Sequence, residues 1–78
     1  MSIEEAALMK QHFAYWATLL QAGTAVAYGP VEDPKGSWGV AIVRAPDISA
    51  ARALTDQDPV VRSGRGFRYD IFAMPQLL

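Results

Sequence analysis

The sequence predicts a small α+β domain with the element order helix, strand, strand, helix, strand. Three observations carry this. A long stretch near the start repeats its apolar residues at helical spacing. Two alternating stretches rich in small and β-branched residues then flank a turn-forming hexapeptide. A shorter capped helix and a final alternating run follow. Runs of strands and helices in this arrangement place two helices on one face of an antiparallel sheet.

The first helix is expected from about residue 3 to 21. Ser2 with Glu5 has the spacing of a capping box, in which the hydroxyl and the carboxylate satisfy two N–H groups left open at a helix start. Met9, Phe13, Trp16 and Leu20 form one apolar stripe, and Gly23 falls where a left-handed cap closes a helix. At about 100° per residue, His12 lies on the border of that stripe, on the flank shared with Leu8, Tyr15 and Leu19. Thr24 to Val31 reads as a strand with Val26 and Tyr28 on one side and Ala25 and Ala27 on the other. The hexapeptide Glu32-Asp33-Pro34-Lys35-Gly36-Ser37 is turn chemistry. Trp38 to Arg44 is the second strand of an antiparallel hairpin, with Trp38, Val40 and Ile42 opposite Gly39, Ala41 and Val43. Asp47 caps a short helix carrying Ile48, Ala51 and Leu54, which stops before Pro59 because the residue preceding proline disfavours helical angles. Phe67 to Ala73 is expected as the last strand.

This order is a ferredoxin-like βαββαβ unit without its first, central strand. Three arrangements fill the gap: direct pairing of the second hairpin strand with the last one, a strand from a partner chain, or an N-terminal extension outside this chain. The 78 residues fit a single domain over positions 1–78. A chain so small that is 51% hydrophobic is expected to cover apolar surface with another copy of itself, as a homodimer or higher oligomer.

A formal charge of −1 with dispersed basic residues argues against nucleic acid as a partner. No apolar run is long enough for a membrane span, and the acidic start has no signal-peptide pattern, so a cytoplasmic protein is expected. Zero cysteines and a single histidine leave no ligand set for a metal. No serine sits in a nucleophile-elbow pattern. The glycine-rich Ser63-Gly64-Arg65-Gly66 lacks the lysine and following helix of a phosphate loop. No cofactor is implied.

Several segments together carry a family resemblance. They are His12 with Tyr15-Trp16 and Leu19 to Gly23; Tyr28-Gly29-Pro30-Val31-Glu32-Asp33-Pro34-Lys35-Gly36; Gly39-Val40-Ala41-Ile42-Val43; Asp58-Pro59-Val60-Val61-Arg62-Ser63-Gly64; and Gly66-Phe67-Arg68-Tyr69. In this order they resemble the YCII-related (YciI-like) domain family across nearly the whole chain. The resemblance implies a ferredoxin-like domain that pairs into a dimeric α/β barrel, with a histidine and an aspartate as candidate catalytic pair. Members usually begin with a strand before the histidine helix, and some carry an Asp near the end of that helix, where Gln21 stands here.

His12 is the only side chain here whose ordinary pKa lies near neutrality, so proton transfer at physiological pH points to it. Asp58 is the expected carboxylate partner, which would fix the tautomer of the ring and let it act as general acid or base on a small organic substrate, in lyase- or hydrolase-like chemistry. Tyr28, Gly29, Pro30, Trp16 and Trp38 are candidate pocket lining, Gly29 because a glycine lets a ligand approach the backbone. The plainer alternative is a non-catalytic ligand-binding or dimerising module in which His12 is a half-exposed helix residue, Asp58 a turn former and both tryptophans core. A cofactor-free monooxygenase-type barrel is a third reading, because that architecture hosts more than one chemistry.

Overall fold

The computed structural model describes residues 2–76. Its elements are α1 (Ile3–Gln21), β1 (Ala25–Val31), β2 (Trp38–Val43), α2 (Ile48–Asp56) and α3 (Pro59–Arg62). The chain is thus α+β, with a two-stranded antiparallel sheet.

Local chemistry sets most boundaries. The Ser2 hydroxyl accepts from Glu5 N at 3.1 Å and starts α1. The Glu5 carboxylate lies 3.9 Å from Arg65 Nη1, so the acidic half of the expected capping box faces an arginine instead. At the other end Gly23 adopts φ +81°, the left-handed conformation that a residue with a Cβ resists. Asp47 Oδ1 accepts from Ala50 N at 2.8 Å and starts α2.

The inward face of α1 is rotated from the expected stripe. Phe13 and Leu20 are exposed, whereas Trp16 is buried and Leu8, Met9, His12, Tyr15 and Leu19 are half-buried. His12 therefore belongs to the packed face rather than its border. That face meets β1 and α3.

The hairpin register explains which strand residues α1 meets. Val31 pairs with Trp38, Pro30 with Gly39, Gly29 with Val40, Tyr28 with Ala41 and Ala27 with Ile42, but Ala25 pairs with Val43. The slip between Ala25 and Ala27 makes Val26 the extra residue. Directly opposed residues share a face, so Ala25, Tyr28 and Pro30 lie with Val43, Ala41 and Gly39. Ala25 and Tyr28 were expected on opposite faces, and the slip brings them together. Ala25 is buried and the Tyr28 ring stands 6.2 Å from that of Trp16, which identifies this as the face toward α1. Small side chains at Gly39 and Ala41 leave room for the indole. Trp38 and Val40 belong to the other face and are about half exposed.

Two expectations are corrected. The last strand is not formed: Phe67 to Ala73 carries no strand, and the four-residue helix α3 follows α2 instead. Burial still alternates along residues 68–72, with Tyr69 and Ile71 half-buried between exposed neighbours, so the run keeps the period of a strand without its ladder. The cause is the sheet itself. In a ferredoxin-like arrangement the last strand pairs with the central one, which no described segment supplies, and β2 does not bridge the gap. The expected seating of both helices on one sheet face also changes, because α2 packs chiefly against α3 and is tied to α1 by the Tyr15 hydroxyl, which donates to Leu54 O at 2.6 Å. No helix of the described residues is long and apolar enough to cross a membrane.

Candidate active site

Between α2 and α3 the chain must turn, and the dipeptide Asp58-Pro59 makes it do so. Proline holds Asp58 out of the helical region, at φ −62° and ψ 128°, and is itself well suited to the first position of α3. Asp58 then caps α3, with Oδ1 accepting from Val60 N at 3.0 Å. This local geometry points the carboxylate into the protein, where Asp58 is 0% exposed.

Three side chains from distant positions converge on it. His12 Nδ1 lies 2.9 Å from Oδ1 and 2.8 Å from Oδ2. Trp16, one helical turn further along α1, donates its indole N–H to Oδ2 at 2.8 Å. The Tyr69 hydroxyl donates to Oδ2 at 2.6 Å and is itself approached by Trp16 Nε1 at 3.1 Å. With the Val60 amide, four donors meet one carboxylate.

These contacts fix the charge state. Burial works against ionisation of Asp58, but hydrogen bonds from Tyr69, His12, Trp16 and Val60 outweigh it and hold the carboxyl below the usual carboxylate range. An ionised carboxylate only accepts, so the hydrogen shared with His12 sits on Nδ1, and in the neutral ring Nε2 carries none. Nε2 makes no hydrogen bond among the described residues. The phenols respond in the opposite sense. Burial and then its hydrogen bond to Asp58 push Tyr69 far above the ordinary tyrosine range, and burial followed by the Asp58 charge raises Tyr15.

His12 remains 21% exposed through its side chain and borders a cavity of about 20 Å³, room for one water-sized group. Trp16, Tyr28, Tyr69 and the β2 stretch Gly39–Ala41 complete its lining. Of the residues singled out by sequence, His12, Asp58, Trp16 and Tyr28 come together here. Gly29, Pro30 and Trp38 do not border this cavity. Trp38 is on the opposite sheet face, and its indole N–H is spent on Asp33 Oδ2 at 3.1 Å, within the hairpin turn. Tyr69 is the site residue that sequence reading missed. The signal was its place between Phe67 and Ile71 on one side of an alternating run, a hydroxyl on an otherwise apolar row.

The fold and this site together define a small α+β protein with a histidine held by a buried aspartate. A YCII-related domain model matches residues 2–75, and the chain belongs to that family. No curated protein and no solved structure matches it.

Asp58 also sets an acid limit. Because its pKa is lowered on folding, its stabilisation is complete above about pH 4, the value for an unfolded carboxylate, and is lost as pH falls through the folded value. The urea midpoint is expected to drop between about pH 7 and about pH 3. Asp58→Asn should flatten that dependence and cost about 3 kcal/mol near neutrality, measured with sulfate present to keep the variant folded. An acid dependence unchanged in the variant would assign it to other carboxylates.

Proposed function

We propose that this protein is a cofactor-independent acid–base enzyme acting on a small organic substrate, with His12 as the proton-transferring group and Asp58 as its orienting carboxylate. The observation that carries this reading is the pairing of His12 Nδ1 with both oxygens of a fully buried carboxylate, in a histidine that also borders a cavity with aromatic walls. Nε2 takes a proton from the substrate or from a water. The imidazolium formed is stabilised by Asp58, and the same nitrogen returns the proton to the leaving or product atom. Trp16 and Tyr28 supply apolar walls beside the ring, as polar groups are few in such pockets.

The test is a panel of small elimination and hydrolysis substrates run with the intact protein and with His12→Gln. Turnover should fall by about 10²–10⁴-fold in the variant while the fold is kept. Turnover equal in both proteins would remove His12 from the reaction.

The reading includes a cytoplasmic homodimer. It is supported by the amount of apolar surface one copy leaves uncovered: Phe13, Trp38, Val40 and Phe67 are each about half exposed and Phe72 more so. Sedimentation at micromolar concentration should give twice 8.5 kDa, and a folded particle of 8.5 kDa would contradict the dimer. A second reading, a binding or dimerising module without turnover, is favoured by the small size of the cavity, which seats no more than a water-sized group in one copy. Ligand binding without turnover across the panel would select it.

A further inference from the structure

The His12–Asp58 pair has a third member whose contribution lies in one atom. Tyr69 accepts from Trp16 Nε1 at 3.1 Å and makes three further connections. Its ring stands 6.0 Å from that of Trp16, its carbonyl accepts from Arg52 Nη1 at 3.0 Å, and its hydroxyl donates to Asp58 Oδ2 at 2.6 Å. The first two anchor the terminal run to the body of the protein. The third does something different, because it is the shortest of the hydrogen bonds that reach the carboxylate.

We propose that Tyr69 is a positioning residue for the His12–Asp58 pair: its hydroxyl keeps a fully buried carboxylate ionised and oriented, so that Asp58 accepts from His12 Nδ1 and Nε2 stays free to react. This rests on the acid–base reading of the site and adds to it a residue from outside the helices.

A carboxylate with no solvent contact must be satisfied by donors, and charge-assisted bonds at short distance contribute most. Val60 N serves Oδ1, and Trp16 Nε1 serves Oδ2 but is shared with the Tyr69 hydroxyl. His12 offers a single hydrogen to both oxygens. Among the described residues, Tyr69 O–H is therefore the one side-chain donor to Asp58 from outside α1. It also accepts from the Trp16 indole, so it fixes the donor on which Oδ2 next depends. The groups facing Asp58 are His12, Tyr15 and Trp16 from α1, Val60 of its own helix α3, and Tyr69 from the terminal run, and of these only His12 bears a positive charge when protonated.

Tyr69→Phe separates the two roles, because it keeps the ring beside Trp16 and the carbonyl for Arg52 and removes only the hydroxyl. The readout is the pH midpoint of the Asp58 side-chain carboxyl, followed by carbon NMR in the intact protein and the variant. The midpoint should rise by about one pH unit in Tyr69→Phe, the consequence of losing one donor to a charged group. An identical midpoint in a folded variant would show that Tyr69 only packs and would overturn the proposal. If the variant does not fold, the intact protein still decides. A Tyr69 hydroxyl hydrogen held at 2.6 Å by a carboxylate should give a downfield, slowly exchanging proton signal that disappears when Asp58 is protonated. A hydroxyl in fast exchange at neutral pH would overturn the proposal equally. Neither readout requires turnover, so failure of the catalytic test with His12→Gln is distinguishable from failure here.

Discussion

The Asp58 carboxylate is the interaction on which the rest depends. It is fully buried, and its four donors come from three parts of the chain: His12 and Trp16 from α1, the Val60 amide from α3, and the Tyr69 hydroxyl from the terminal run. The hydrophobic core around it is small, with Trp16, Ala25, Ala51 and Val60 as its buried apolar members among the described residues. A domain of this size has a net stability on the order of 5 kcal/mol. A buried anion with one donor removed costs a large share of that. The site and the fold are consequently one network, in which the group that orients the histidine also holds the elements together.

That arrangement explains the chemistry available. The carboxylate makes its demand on Nδ1, so the neutral ring is held in one tautomer, and His12 also borders the cavity. Trp16 acts twice, as the largest buried side chain and as a donor to Asp58. Its indole lies beside Tyr28 and Tyr69, and the small residues Gly39 and Ala41 of β2 give it room. Trp38, on the uncovered side of the sheet, does not border this cavity and is about half exposed.

What was legible in the sequence was local. The ends of α1 follow from Ser2 and Gly23, the start of α2 from Asp47, and the geometry of Asp58 from the proline that follows it. Each depends on a residue and its immediate neighbours. The misreadings came from pairing across distance. A one-residue slip beside Val26 decided which strand residues face α1, and alternation alone could not show it. It is this register that places Tyr28 by the histidine and Trp38 away from it. The run Phe67 to Ala73 has the period of a strand, but a strand exists only beside another, and none of the described segments takes that place. The same dependence hid Tyr69, whose importance arises from where Asp58 and Trp16 stand rather than from its own neighbours in sequence.

Everything attributed to the site requires that Asp58 hold His12 with its hydrogen on Nδ1. With one histidine in the chain, nitrogen-15 NMR of the imidazole ring at mildly alkaline pH reads that directly. The expected result is the Nδ1–H tautomer, with Nε2 showing the shift of an unprotonated nitrogen. A ring that is predominantly Nε2–H, as in free imidazole side chains, would contradict it.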